Sequence, residues 1–170
     1  PHAQNGAALM VSLMMLLVLT LIGVTSIQGT ILQEKMAGNM RDKNLAFNAA
    51  ETALREGENW VAPMGSIPDP VASCSSAPCT LWNPSILPDL SDQDNAWWTG
   101  NAVQVATPIP EVNNDPYYIM EELAFTPDDL DPKARAEGRG DFFYRTTARG
   151  TGGSDVAEVV LQTTYIKRFR

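Results

Sequence analysis

Polar and apolar residues follow one another along this chain in three regimes. From Ala7 to Ile27 there is no charged residue, and apolar side chains succeed one another almost without interruption. A helix of about 21 residues rises about 31 Å, the hydrocarbon thickness of a bilayer, so this run predicts a membrane-spanning helix. From Gln28 to Trp60 the pattern becomes periodic. Leu32, Met36, Met40, Phe47, Ala50, Leu54 and Val61 recur at helical spacing beside a row of mostly small residues, Ala46, Ala50, Ala53, Gly57 and Trp60. One face of this half therefore expects a partner at close range. Glu51 and Arg55 form an i,i+4 pair on the wetter side. Nothing interrupts the pattern before Pro63, which ends it by disfavouring helical angles in the residue before it. The reading is one helix of about 54 residues, about 80 Å long, greasy in its first half (7–27) and amphipathic in its second (28–60).

The third regime starts with a turn-rich stretch, residues 61–101, carrying Pro63, Pro68, Pro70, Pro78, Pro84 and Pro88, which reads as an irregular connection. Trp60, Trp82, Trp97 and Trp98 flank it and are expected to seal it onto the core, although the neighbouring pair cannot easily both be buried. Strand alternation begins at residues 102–107 and continues at 117–125, 142–149 and 157–166, the last two flanking the glycine-rich connection GTGGSDV. The fold class is α+β: a long N-terminal α-helix packed on a roughly four-stranded antiparallel β-sheet in residues 102–170. Ala157, Val159, Leu161, Thr163 and Tyr165 share one face, expected to cover the helix's second half, with Glu158, Gln162 and Thr164 facing out. The open edge of such a sheet offers another chain's strand a place to pair.

Composition adds limits. Outside the apolar run about 140 residues remain, enough for one domain. A net charge of -8 disfavours a nucleic-acid binder, whose affinity comes from Lys and Arg on phosphates. Every charge between Val61 and Pro132 is acidic, whereas basic residues dominate from Lys133 onward. Either the two halves pair within one fold, or the acidic segment is a docking face. The only histidine is His2, so no His-dependent catalysis is expected beyond it, and no phosphate-cradling glycine motif occurs. Glu121 and Glu122 adjoin on a strand and point to opposite faces, a poor acid/base couple. No enzyme and no cofactor is expected. Asp89, Asp92 and Asp94 in DLSDQDN offer spaced oxygen ligands for calcium, but the segment lacks the glycine and distal glutamate of a full loop. Cys74 and Cys79 are the only cysteines, and an exported protein would close them into a disulfide; zinc would need two more ligands.

Three explanations compete for the apolar start: a cleaved secretory signal, a plain membrane anchor, or a segment with two uses. A signal has a shorter apolar run and an exit, whereas residues 28–34 continue as helix. Gly6 before a long apolar stretch, then TILQEKMAGNMRDKNLAFNAAETALREGE, then a mixed β tail, resembles the type IV pilin superfamily and within it the PilX minor pilins. The resemblance implies that prepilin peptidase cuts between Gly6 and Ala7, leaving residues 1–6 as a leader remnant, and that the new N-terminus is methylated. It implies a bacterial inner-membrane subunit with a periplasmic domain, later placed in a pilus. Other minor pilins, the major pilin, a tip adhesin and the inner-membrane assembly platform are the implied partners. Most pilins carry a glutamate five residues into the mature chain; here that position is Val11, and no acid precedes Glu34. That departure favours a tip or priming subunit. It is shared by the tip pseudopilins of type II secretion, the alternative reading, beside a bitopic anchored binding domain.

Overall fold

The computed structural model describes residues 7–74, 79–83 and 86–169. His2 and Gly6, with the rest of the expected leader remnant, and Pro78 and Pro84 lie outside the described residues. The chain divides into two units, Pro1–Arg41 and Asp42–Arg170. Each holds part of one α-helix, α1, spanning Ala7–Val61. It runs without interruption from the first described residue to Val61, two residues before Pro63.

The second unit is built on a five-stranded, mostly antiparallel sheet in the order β1-β3-β4-β5, with β2 also paired to β3. Its body is β3 (Tyr117–Pro127), β4 (Gly140–Thr151) and β5 (Glu158–Lys167), the long alternating segments of the sequence. Two short strands complete it. β1 (Leu81–Trp82) runs parallel to β3 at Met120 and Glu121, and β2 (Val103–Gln104) runs antiparallel to it at Tyr118 and Tyr117. The roughly four-stranded sheet read from the sequence is thus present with one strand more, β1, because a two-residue parallel strand has no alternation to read. The segment at 102–107 pairs over only two residues.

α1 covers one face of the sheet, through residues chosen for smallness. Ala46, Ala49, Ala50, Ala53, Gly57 and Val61 are buried, while Met40 and Phe47 of the larger apolar row stay 63 % and 46 % exposed. Small side chains let two backbones approach. A Cβ at Gly150 of β4 would sit 2.4 Å from both the Ala46 carbonyl oxygen and the Ala50 nitrogen, and one at Gly57 would meet Thr146 at 2.7 Å. The strands under the helix are β3 and β4, where Tyr118 and Ala148 pack with Ala53 and Leu54. The expectation that β5 would cover it is corrected accordingly. Val159, Leu161, Thr163 and Tyr165 do share the helix-side face, paired with Gly150, Ala148, Thr146 and Tyr144, but they remain half-buried beside the helix.

The turn-rich connection covers the opposite face. It contains a 3-10 helix at Leu90–Asp92 and a short helix, α2, at Asn95–Asn101. Trp82, Leu90, Trp98 and Ala102 pack on Tyr117 and Ile119. Trp98 is fully buried and Trp97 half-buried, their rings edge to face at 5.7 Å, so the neighbouring indoles divide between core and surface as expected. A further cluster of Val61, Leu81, Met120, Phe142, Tyr144 and Phe169 closes the end where α1 stops.

Candidate functional site

The feature of the first unit is an uncovered apolar helix. Every large apolar residue from Leu9 to Ile27 is 52–69 % exposed, and the helix is long and apolar enough to cross a membrane. Its hydroxyls are already satisfied. Ser12 donates to the Leu9 carbonyl at 2.9 Å, Thr20 to Leu17 at 2.8 Å, Thr25 to Ile22 at 3.0 Å and Ser26 to Ile22 at 2.9 Å. Each bond returns to the preceding turn, so the segment presents few unmet polar groups to an apolar medium. Ala7 is the first described residue and is already helical, and Val11 is 58 % exposed.

In the second unit Asp42 fastens α1 to the β4–β5 connection. Its carboxylate accepts from the Gly153 N–H at 2.6 Å, from the Ser154 N–H at 3.3 Å and from the Ser154 hydroxyl. The approach is close enough to require glycine, since a Cβ at Gly152 would lie 2.2 Å from the Asp42 carboxylate oxygen. The Ser154 hydroxyl bond, opposed by partial desolvation and aided by the two N–H groups, holds the Asp42 carboxyl below its ordinary range. A carboxylate depressed in the folded state adds stability above its unfolded pKa, near pH 4, and loses it as pH falls through the folded value. Melting followed from about pH 7 to about pH 2 should therefore show a shallower acid limb for Asp42→Asn than for the native chain. Parallel limbs would mean that the contact adds nothing.

At the other end of the sheet the C-terminal segment holds the helix terminus. The Lys167 ammonium donates to the Ala62 carbonyl, one of the acceptors left open where a helix ends. Arg168 reaches Asp141 at 2.5 Å and Asp128 at 2.9 Å, and Phe169 enters the core between them. Arg139 gathers Asp129, Asp131 at 2.6 Å and Glu137 at 2.9 Å. Arg135 binds Glu122 at 2.5 Å, and Arg145 binds Glu121 at 2.7 Å on the other face. Five acids of the acidic segment thus find their cations in the basic one, which favours internal pairing over an acidic docking face for Glu121, Glu122, Asp128, Asp129 and Asp131.

The aspartates of DLSDQDN have local work. Asp89 caps the 3-10 helix, accepting from Ser91 N at 3.0 Å, and Asp94 caps α2, accepting from Trp97 N at 2.8 Å. Asp92 lies within the 3-10 helix. Among the described residues no three His, Cys, Asp or Glu side chains gather as metal ligands. Cys74 and Cys79 are joined in a disulfide, closing a small loop on the connection. Trp82 fixes its end by donating to the Cys79 carbonyl at 2.9 Å.

No curated protein and no solved structure matches the chain. Residues 5–55 match the family PilX N-terminal, and residues 45–167 match the family Type IV pilus assembly protein PilX C-term. The two matches overlap on α1 and extend through β5, and with an apolar N-terminal helix joined to an α+β unit they show that this chain belongs to the PilX family of type IV pilus assembly pilins.

Proposed function

We propose that this chain is a non-catalytic minor pilin that primes type IV pilus assembly and sits at or near the pilus tip. The observation that carries the reading is the uncovered apolar half of α1, continuous with a helix whose next turns hold a folded unit. Such a surface is stable in lipid or against other helices, and the chain provides for both. Before assembly it anchors the subunit in the inner membrane with its soluble unit in the periplasm, where the Cys74–Cys79 disulfide suits the oxidising conditions. After assembly it packs in the fibre.

Val11 supports a terminal place. An acid at that position would meet a neighbour's N-terminal amine, whereas a lone carboxylate among apolar helices is costly. A subunit with no neighbour above it gains by omitting the acid. The reading assigns prepilin peptidase to the Gly6–Ala7 bond, with methylation of Ala7. It names other minor pilins, the major pilin, a tip adhesin and the assembly platform as partners, and adhesion and twitching motility as outcomes. The family match supports a pilus over a type II secretion system.

Replacing Gly6 by leucine is the direct test. The expected result is a longer, unprocessed product on a gel and loss of surface filaments. A product of normal size with normal piliation would overturn the reading. Deleting the gene should likewise reduce piliation and twitching.

A further inference from the structure

We propose that the free edge of β5 is a docking edge for an extended strand from a different polypeptide. The two edges of the sheet are treated unequally. On the outer side of β3 lie β1 and β2, and β1 is covered in turn by Val71, whose N–H donates to Leu81 at 2.9 Å and whose carbonyl accepts from Asn83 at 3.1 Å. Among the described residues β5 pairs only with β4, in unbroken register from Glu158↔Thr151 to Lys167↔Phe142. In an antiparallel pair every second residue turns its N–H and C=O outward, so β5 presents a regular row of open backbone groups.

Proteins guard long edges with prolines, bulges or charges. Residues 159–166, VVLQTTYI, contain none of these. The charges at the two ends are paired within the chain. Glu158 is held by Arg149 at 2.7 Å and 2.9 Å, and Lys167 by the Ala62 carbonyl. On the helix side Val159, Leu161, Thr163 and Tyr165 are left half-buried, a row that one more strand would cover. The fitting occupant is therefore a strand with alternate apolar residues on its helix-side face and no charge in its middle.

A second copy of this chain fits poorly. Asp42 lies beside Ser154 near the start of β5, and Ala62 lies beside Lys167 at its end, so β5 advances in the same sense as this part of α1. Antiparallel self-pairing would turn one copy end for end, although both chains enter through Asp42 from the same membrane. Parallel in-register self-pairing would set Glu158 against Glu158 and Lys167 against Lys167. A different polypeptide meets neither obstacle.

The test places the photoreactive residue benzoylphenylalanine at Thr164, exposed on β5, in the full chain, irradiates intact cells and sequences the crosslinked peptides. The expected adducts concentrate on one extended, alternating segment of another protein. Gln162→Pro and Thr163→Pro are then compared. Consecutive N–H groups point to opposite sides, so one proline breaks the β4 ladder and lowers the melting temperature while the other removes only an outward donor. The tolerated variant should reduce adduct yield by about tenfold or more. Adducts between two copies, no adduct at all, or a yield indifferent to the tolerated proline would overturn the inference. Processing at Gly6 and filament counts are read separately, so a failed pilus assignment and a failed docking edge give different results.

Discussion

Gly150→Ala is expected to destabilise the globular unit although it places a better strand former in a strand. Gly150 does not adopt a positive φ, so the backbone tolerates a side chain there. The obstacle is steric: the new Cβ would meet the Ala46 carbonyl oxygen and the Ala50 nitrogen at 2.4 Å, and backbone atoms cannot rotate aside. Relief requires α1 to lift from β4, which opens the contacts of Ala46, Ala49, Ala50 and Ala53, all fully buried. Overpacking of this kind costs about 1–3 kcal/mol, more than the roughly 0.5–1 kcal/mol that alanine gains over glycine through chain entropy. Gly150→Val should cost more again. Gly100→Ala is the control, since its Cβ would meet nothing within 4 Å and it lies in α2, where alanine stabilises. Thermal melting of the detergent-solubilised full chain should move down for Gly150→Ala and slightly up for Gly100→Ala. A neutral Gly150→Ala would show that helix and sheet do not rest on this contact.

Trp98→Ala should have the larger effect, about 3–5 kcal/mol, the usual cost of emptying a large aromatic site in a core. Trp98 is fully buried from α2 against the sheet face opposite α1, with Trp82, Leu90, Tyr117 and Ile119 around it. Its indole nitrogen has no partner among the described residues, so Trp98→Phe sacrifices ring volume but no hydrogen bond and should lie well above the alanine variant. Trp97→Ala, at a half-buried neighbour, should be milder than Trp98→Ala. Equal losses at 97 and 98 would contradict the division of the two rings between surface and core. The order of the three melting temperatures is the measurement.

Much of this molecule is written in short-range pattern. The continuity of α1 through residues 7–61 follows from the sequence because membrane length, helical period and a terminating proline are all local properties, and the structure stops the helix at Val61, just before that proline. β3, β4 and β5 are long enough to alternate, so they too are visible in the chain. Cys74 and Cys79 have no other cysteine to join. The absence of an acid between Ala7 and Glu34 needs only reading.

The candidate site was legible in the same measure: its apolar helix was plain, but its attachment to the sheet was not. Asp42 and Ser154 are 112 residues apart, and no periodicity links them. Helical spacing marked two adjoining rows on α1 but could not choose between them. The sheet took the row of alanines and glycine and left Phe47 exposed, because close approach of two backbones needs the smaller side chains.

Pairing obeys the same division. The sequence showed an acidic segment and a basic one; only folding joined Glu121 to Arg145 and Asp128 to Arg168, across separations of 24 and 40 residues. A two-residue strand such as β1 carries no period of its own and exists because Met120 N–H donates to Thr80 and Trp82 is drawn into the core. Local order is set by backbone geometry that repeats every two or 3.6 residues, and the chain displays it openly. Which surfaces meet depends on shape and charge brought together from distant parts of the chain, and that was decided only when the sheet closed against the helix on one face and the tryptophans on the other.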